Sequence, residues 1–276
     1  MKNYRKMTYP YVLWISIMII LPMLLIMFYA FTVDGNKVAK VAFSLENFKR
    51  FFKDEIFLQV LIKSFRVALI TTVLCLFLGY IPAYFIARSS EGVKMKWVLL
   101  ITIPTWINML VRTYAWIGIM QRDGILNKLF KLIGLGPYEM MYTEGAVILG
   151  MVYNFLPFMI LQIYTSLTKM DNSLIEAAQD LGGNRFQCFM KVTLPLSMPG
   201  VISGITLVFL PAVSSFCIPK MLGGGQYMLV GNLIEKQFLT TGDWSFGSAI
   251  SLIMTIIIMI SMYITKKVDT TEKAEA

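Results

Sequence analysis

The residues of this 276-residue chain that stand close enough to act together fall in one polar segment, Asp171 to Pro195. It holds Glu176 and Asp180, two adjacent alanines at 177 and 178, and the glycine pair Gly182-Gly183. Such a set suits recognition better than bond-making. Glu176 offers a charge to a basic partner, the alanines let another surface come close, and Gly182 allows a sharp turn that a side chain would obstruct. Catalysis is poorly served. The chain has no histidine, which removes Ser/His/Asp and Cys/His arrangements, imidazole metal ligands and a histidine pH switch. Cys75, Cys188 and Cys217 show no paired spacing, so neither a disulfide framework nor a metal site is indicated. No glycine-rich loop ending in Gly-Lys-Ser or Gly-Lys-Thr occurs, so the chain has no P-loop of its own for ATP. Gly223-Gly224-Gly225 follows Pro219 and reads as a flexible turn, not as a phosphate cradle.

The elements that must position this segment follow from composition. The chain is 57% hydrophobic and 13% aromatic, only 15% of its residues are charged, and its mean hydropathy is +0.67. Soluble domains average about 25% charged residues, and a protein of this size needs them to cover its outside. Six apolar stretches reach the roughly 20 residues that a bilayer core requires of a helix. They are 7–33, 67–87, 97–121, 145–168, 192–219 and 244–265. Pro195 and Pro199 place the start of the fifth span near Pro199. The first stretch follows Lys2, Arg5 and Lys6 as in a signal peptide, but it is too long for an h-region and lacks a clean cleavage site, so it reads as a retained helix. The expected fold is therefore all-α: a polytopic membrane protein with six transmembrane helices, forming one transmembrane domain over 1–276 with no internal repeat. The 25 Lys and Arg against 16 Asp and Glu give +9. These bases lie between apolar runs and form no stripe, which points to the head groups of a lipid bilayer and not to nucleic acid.

Six spans put both termini on one side. The bases divide almost evenly between the two sets of loops, but Lys2, Arg5, Lys6, Lys266 and Lys267 hug the first and last spans, which favours cytoplasmic termini. In the first outer segment Ser44 is placed to cap a helix with Phe48, Phe51 and Phe52 at helical spacing and Lys49, Arg50 and Lys53 between them. That pattern predicts an amphipathic helix lying on the membrane surface. In the polar segment, Asp171 is placed to cap a helix starting at Asn172, with Leu174, Ala177, Ala178 and Leu181 on one face and Gly182-Gly183 stopping it. A helix of three turns or fewer is not stable alone, so it should dock on something.

Inside the spans, Arg112 is the only charge. Burying it in lipid costs about 2.5–3.5 kcal/mol, so it must face protein or water and find a partner. A structural role is expected, with a carbonyl, Asp123 or Glu144 as the partner, because a bare Arg repels a cation. Tyr80, Tyr84, Trp106, Tyr114, Trp116, Tyr153 and Phe155 offer aromatic faces along a candidate pathway, where cation–π contacts of about 0.5–2 kcal/mol are weak enough to release a cation. For each ring taken singly, interface anchoring or helix packing is the commoner role. Pro82, Pro104 and Pro157 are expected to kink their spans, and Gly200-x-x-x-Gly204 to bring two helices close.

Glu176-Ala177-Ala178, then Gly182 three residues on, then Val192-x-Leu194-Pro195 after nine more, resembles the EAA loop of ATP-binding-cassette (ABC) importer permeases. Ile103-Pro104, Arg112-Thr-Tyr114-Ala-Trp116, Gly124-Ile-Leu-Asn127 and Leu135-Gly136 resemble the polyamine branch of that family. So do Gly231-Asn-Leu-Ile-Glu235, Gln237-Phe238-Leu239 and Asp243-Trp244-x-Phe246-Gly247. The resemblance implies a type I importer permease fold, with Glu176, Ala177, Ala178, Asp180 and Gly182 coupling a cytoplasmic loop at 169–198 to an ATPase. It also implies cytoplasmic termini, outer segments at 34–66, 122–144 and 220–243, and a prokaryotic cell-membrane location. The implied partners are a second homologous permease, an ABC ATPase dimer and an extracytoplasmic substrate-binding protein. This chain would bind no cofactor, and ATP and Mg would be used by the partner ATPase. The implied cargo is spermidine and putrescine; relatives on a similar frame carry ferric iron, sulfate, molybdate or phosphonates. Lys220 departs from the pattern by placing a cation at an outer mouth where some relatives carry an acid. A stand-alone carrier or channel is the weaker alternative, because ion coupling needs intramembrane acids and the six stretches have none.

Overall fold

The computed structural model describes residues 2–33, 42–171 and 173–275. Asp34 and Asn172 lie outside them, as do the side chains of Lys2, Arg5, Lys6 and Lys266. The chain divides into two compact units, Met1–Val60 with Leu233–Ile260, and Leu61–Asn232 with Ser261–Ala276.

In the first unit, α1 (Lys2–Ala30) is the apolar N-terminal helix and runs through Pro10 and Pro22. It leads into a two-stranded antiparallel hairpin that pairs Thr32 with Phe43 and Val33 with Ala42, a small addition to an otherwise helical fold. The amphipathic helix α2 (Glu46–Lys53) forms as expected. Ser44 serves its start, its Oγ accepting from the Glu46 amide at 3.1 Å. The apolar side does not lie on a membrane surface throughout. Phe51 is fully buried and stacks on Phe57 with ring centroids 6.2 Å apart, while Asn47 donates to the Thr32 carbonyl at 2.9 Å. The reason is local: α3 (Glu55–Ala87) begins two residues after α2 ends, and its Phe57 ring reaches Phe51. Asp243 ties the same unit together. It caps α13 (Trp244–Glu275) by accepting from the Phe246 amide at 3.0 Å, and pairs with Arg50 at 3.0 Å.

The second unit is built around two helices, α7 (Glu144–Thr168) and α10 (Leu194–Ser214). The Gly200/Gly204 spacing does what the sequence suggests. A Cβ at Gly200 would collide with Ser166, and one at Gly204 would come within 2.6 Å of the Met159 sulfur. Farther out, a Cβ at Gly150 would collide with Leu222 of α11 (Cys217–Leu222). α3 (Glu55–Ala87) and α7 run on as continuous helices through Pro82 and Pro157.

Among the described residues, five helices are long and apolar enough to cross a membrane, and a sixth span exists if one bent pair is counted. That pair is the expected third span. It is broken between α4 (Glu91–Trp106) and α5 (Met109–Met120), and the two pieces meet at 92°. Pro104 removes a backbone donor just before the break, and Asn108 starts the second piece by accepting from the Leu110 amide at 2.8 Å. The fifth span also differs. Its helical run begins at Arg185, well before Pro199, passes through a π-helical turn at Phe189–Thr193 and takes Pro195 into the first turn of α10. The wider π turn stands immediately before Pro195, which has no amide to bond back into it.

Replacing Gly200 by Leu should overpack the α7–α10 contact, costing about 1–3 kcal/mol, and lower the thermal unfolding midpoint in detergent. Gly92→Ala meets no atom within 4 Å and should leave the midpoint unchanged.

Candidate coupling site

The loop between the fourth and fifth spans folds into α8 (Ser173–Asp180) and the short α9 (Arg185–Cys188). Both ends of α8 are fixed by side-chain and backbone chemistry. At its start the Asp171 carboxylate accepts from the Ser173 amide at 3.0 Å, and this bond holds the carboxyl below its usual range. At its end Gly182 sits at φ +83°, with its amide on the Gln179 carbonyl at 2.8 Å and the Gly183 amide on the Ala178 carbonyl at 3.0 Å. This double closure is the Schellman arrangement and needs a residue at ease with positive φ. Asn184 and Gln187 then cap α9 reciprocally, a pattern readable from the sequence as a capping residue followed three positions later by Gln.

Most of the face drawn from the apolar spacing is left open by this chain. Ile175 is the buried anchor of α8, at 8% exposure, with Ala178 partly covered beside it. Leu174 and Ala177 are exposed, and Leu181 stands 90% exposed. The helix thus holds to its own chain by a narrow contact and turns Glu176, Ala177, Asp180 and Gly182 outward. Phe186, 72% exposed on α9, extends the same apolar offering. What such a surface can do chemically is bind: short side chains for close approach, exposed apolar groups for burial, and carboxylates for a basic partner.

The seven aromatic candidates do not come together as one lining. Tyr80 and Tyr84 pack edge-on against Phe189 of the π turn, at 5.7 and 5.5 Å, and the Tyr80 hydroxyl bonds Ser197 at 2.8 Å. They brace the start of the fifth span. Trp116 and Tyr153 form a second pair at 5.3 Å. Phe155 is buried, whereas Trp106 and Tyr114 are largely exposed.

Arg112 does not find the partners expected of it. Glu144 is paired with Arg66, and the Arg112 Nε and Nη1 are closed off without a hydrogen-bond partner among the described residues. Lys63 lies 3.5 Å over the Tyr227 ring. Burial first, then the Glu144 carboxylate, push the Tyr227 hydroxyl above its ordinary range.

Two asparagines that sequence reasoning quoted only within motifs prove to be staples. Asn127 of α6 (Ile125–Leu132) is fully buried, donates to the Tyr138 carbonyl at 3.0 Å and accepts from the Tyr138 amide at 2.9 Å. Asn232, in α12 (Val230–Lys236), donates to the Phe216 carbonyl at 2.6 Å.

A broken span, five uninterrupted apolar helices and an outward-facing polar loop define a multi-pass membrane transport component. Residues 2–270 match the family described as "Binding-protein-dependent transport system inner membrane component", and the chain belongs to that family. It is 38% identical over 254 residues to the spermidine/putrescine transport system permease protein PotB of Salmonella typhimurium, covering 91% of this chain and 88% of that protein. It is 39% identical over 247 residues to PotB of Escherichia coli K12, with 88% and 90% covered. The fold matches a chain in the crystal structure of a bacterial ABC transporter that imports the acidic polysaccharide alginate. There the TM-score is 0.82 at 15% identity, with 98% of this chain and 95% of that one covered.

The capped ends of α8 lead to two expectations for hydrogen exchange. Gly182→Val should speed exchange of the Gly182 and Gly183 amides about 5- to 30-fold, the penalty of a side chain at left-handed φ. The Asp171 cap has a lowered folded pKa, so its contribution is present above the unfolded value and is lost as pH falls through the folded one. The Ser173 amide should therefore keep its protection down to about pH 4 and lose it only below.

Proposed function

We propose that this chain is a membrane permease subunit of an ATP-driven ABC importer that translocates spermidine and putrescine. The observation that carries the reading is α8. Between two membrane spans it offers Glu176, Ala177 and Leu181 to the outside on a helix fixed at both ends. That is the geometry of a surface made to be gripped by another protein. The cargo assignment rests on the relatives named above, which are 38–39% identical over about nine-tenths of the chain.

In this reading the chain hydrolyses nothing. A separate ATPase dimer uses ATP and Mg and grips the Glu176 helix, with Ala177 and Ala178 allowing close approach, Asp180 adding charge and Gly182 holding the turn. Both termini and the loop at 169–198 lie on the cytoplasmic side. A binding protein delivers cargo from outside, and a second permease completes the path. Closure of the ATPases moves α8 and shifts the spans between inward-open and outward-open states, each nucleotide state favouring one of them. Selectivity resides largely in the binding protein, so this chain needs only a permissive and gated path.

The test is uptake of labelled spermidine into proteoliposomes that hold this chain with its neighbouring gene products. Wild type should import it only with ATP, and Glu176→Lys should lower the rate about tenfold or more by setting like charges against each other, with the complex still assembled. An intact complex whose ATPase responds to another cargo, such as ferric iron, sulfate, molybdate or a phosphonate, would keep the importer and discard the polyamine. Uptake by this chain alone without ATP would overturn the reading.

A further inference from the structure

Arg112 stands on the border of two faces of α5. Thr113 and Met120 on one side are buried in the unit, while Val111, Tyr114 and Ala115 on the other are exposed, and a Cβ at Gly118 would meet nothing within 4 Å. Arg112 is half-buried, and its Nε and Nη1 are closed off and lack any hydrogen-bond partner among the described residues. No acid among the described residues pairs with it. Glu144 is held by Arg66, Asp123 is exposed beyond the end of α5, and the apolar stretches contain neither Asp nor Glu.

A guanidinium does not shed its charge at any accessible pH, and a buried cation is stable only when an anion or other acceptor completes it. Acyl chains have no acceptor to give, and a polyamine would be repelled. Another polypeptide on the exposed face of α5 meets both demands, because Ala115 and Gly118 allow a helix to approach closely and that helix can bring the missing acceptor. Guanidinium geometry favours a carboxylate, which it can hold through two parallel hydrogen bonds. We propose that α5 packs against the second permease subunit and that Arg112 is completed there by a carboxylate of that subunit. The residue is then a positioning residue of the permease pair and takes no part in the path of the cargo.

The inference rests on the permease reading in one respect, the existence of a second permease. The experiment retains that subunit on tagged wild-type and variant chains extracted in mild detergent with the neighbouring gene products. Arg112→Met should reduce the second permease retained about tenfold, and Arg112→Lys should reduce it less. The tagged chain expressed alone should elute as folded protein in all three forms. Arg112→Glu should lose the partner and regain it when one Asp or Glu in the partner's spans is changed to Arg. Undiminished retention by Arg112→Met, or restoration by none of the partner's acids, would overturn the proposal while leaving the permease reading in place. A loss of folded Arg112→Met in the chain expressed alone would also overturn it, since Arg112 would then act within its own subunit. Wild type that retains no second permease would overturn the paired reading and the proposal with it.

Discussion

Within hydrocarbon a backbone amide has no water to turn to, and every departure from helix must be answered by some other group of the protein. This constraint orders the structure more than any single contact does. Where α4 gives way to α5, the Ile107 amide turns back onto the Pro104 carbonyl at 3.2 Å, and Asn108 accepts from the Leu110 amide at the new helix start. After α10, the Phe216 carbonyl starts α11 by accepting from the Lys220 amide at 3.1 Å, and the Asn232 side chain gives it a second donor. Before α10 the chain avoids a break by widening into a π turn at Phe189–Thr193, and Tyr80 and Tyr84 close around the displaced Phe189 ring. Each irregularity carries its own repair, and the repairs are made by side chains that the composition alone would rank as incidental.

The loop between the fourth and fifth spans obeys the same logic outside the bilayer, where water could satisfy it but does not shape it. Asp171, Gly182 and the Asn184–Gln187 box set the ends of α8 and α9. Packing contributes little beyond Ile175. A short helix fixed mainly at its caps keeps its outward face free, and that face is apolar as well as charged. Stability by capping and availability for binding are therefore one design: a helix held by a broad apolar contact would have spent Leu174 and Leu181 on its own chain.

The sequence made the spans and the loop legible because their signals are local. Hydropathy over 20 residues marks a membrane helix, and Asp171 and Gly182 mark where α8 begins and ends. The bend in the third span was not legible, since hydropathy averages over a break and is blind to direction; Pro104 gave the position of a kink but not its 92°. The residue that anchors α8 to its own chain was missed for a related reason. Leu174 and Ile175 are adjacent and equally apolar, and only the partner surface decides which turns inward. The packing of the aromatic residues was not legible, because it depends on contacts such as Tyr80 with Ser197 that join positions 117 residues apart.

The rigid part of the second unit shows why a loop at one end can matter to the other. α9, the π turn and α10 form one helical run from Arg185 to Ser214 with no loop between them. That run meets α7 at Gly200 and Gly204 with no room for a Cβ, and α7 meets α11 at Gly150 in the same way. Close-packed contacts of this kind resist sliding and pass strain onward. Beyond α11, the Leu222 carbonyl accepts from the Tyr142 amide at 2.9 Å, and the Tyr142 ring leaves no space for a Cβ at Gly224. A continuous series of tight contacts therefore joins the segment after α8 to the loops at the other end of these helices. Larger side chains at these glycines would hold the helices apart and soften that connection.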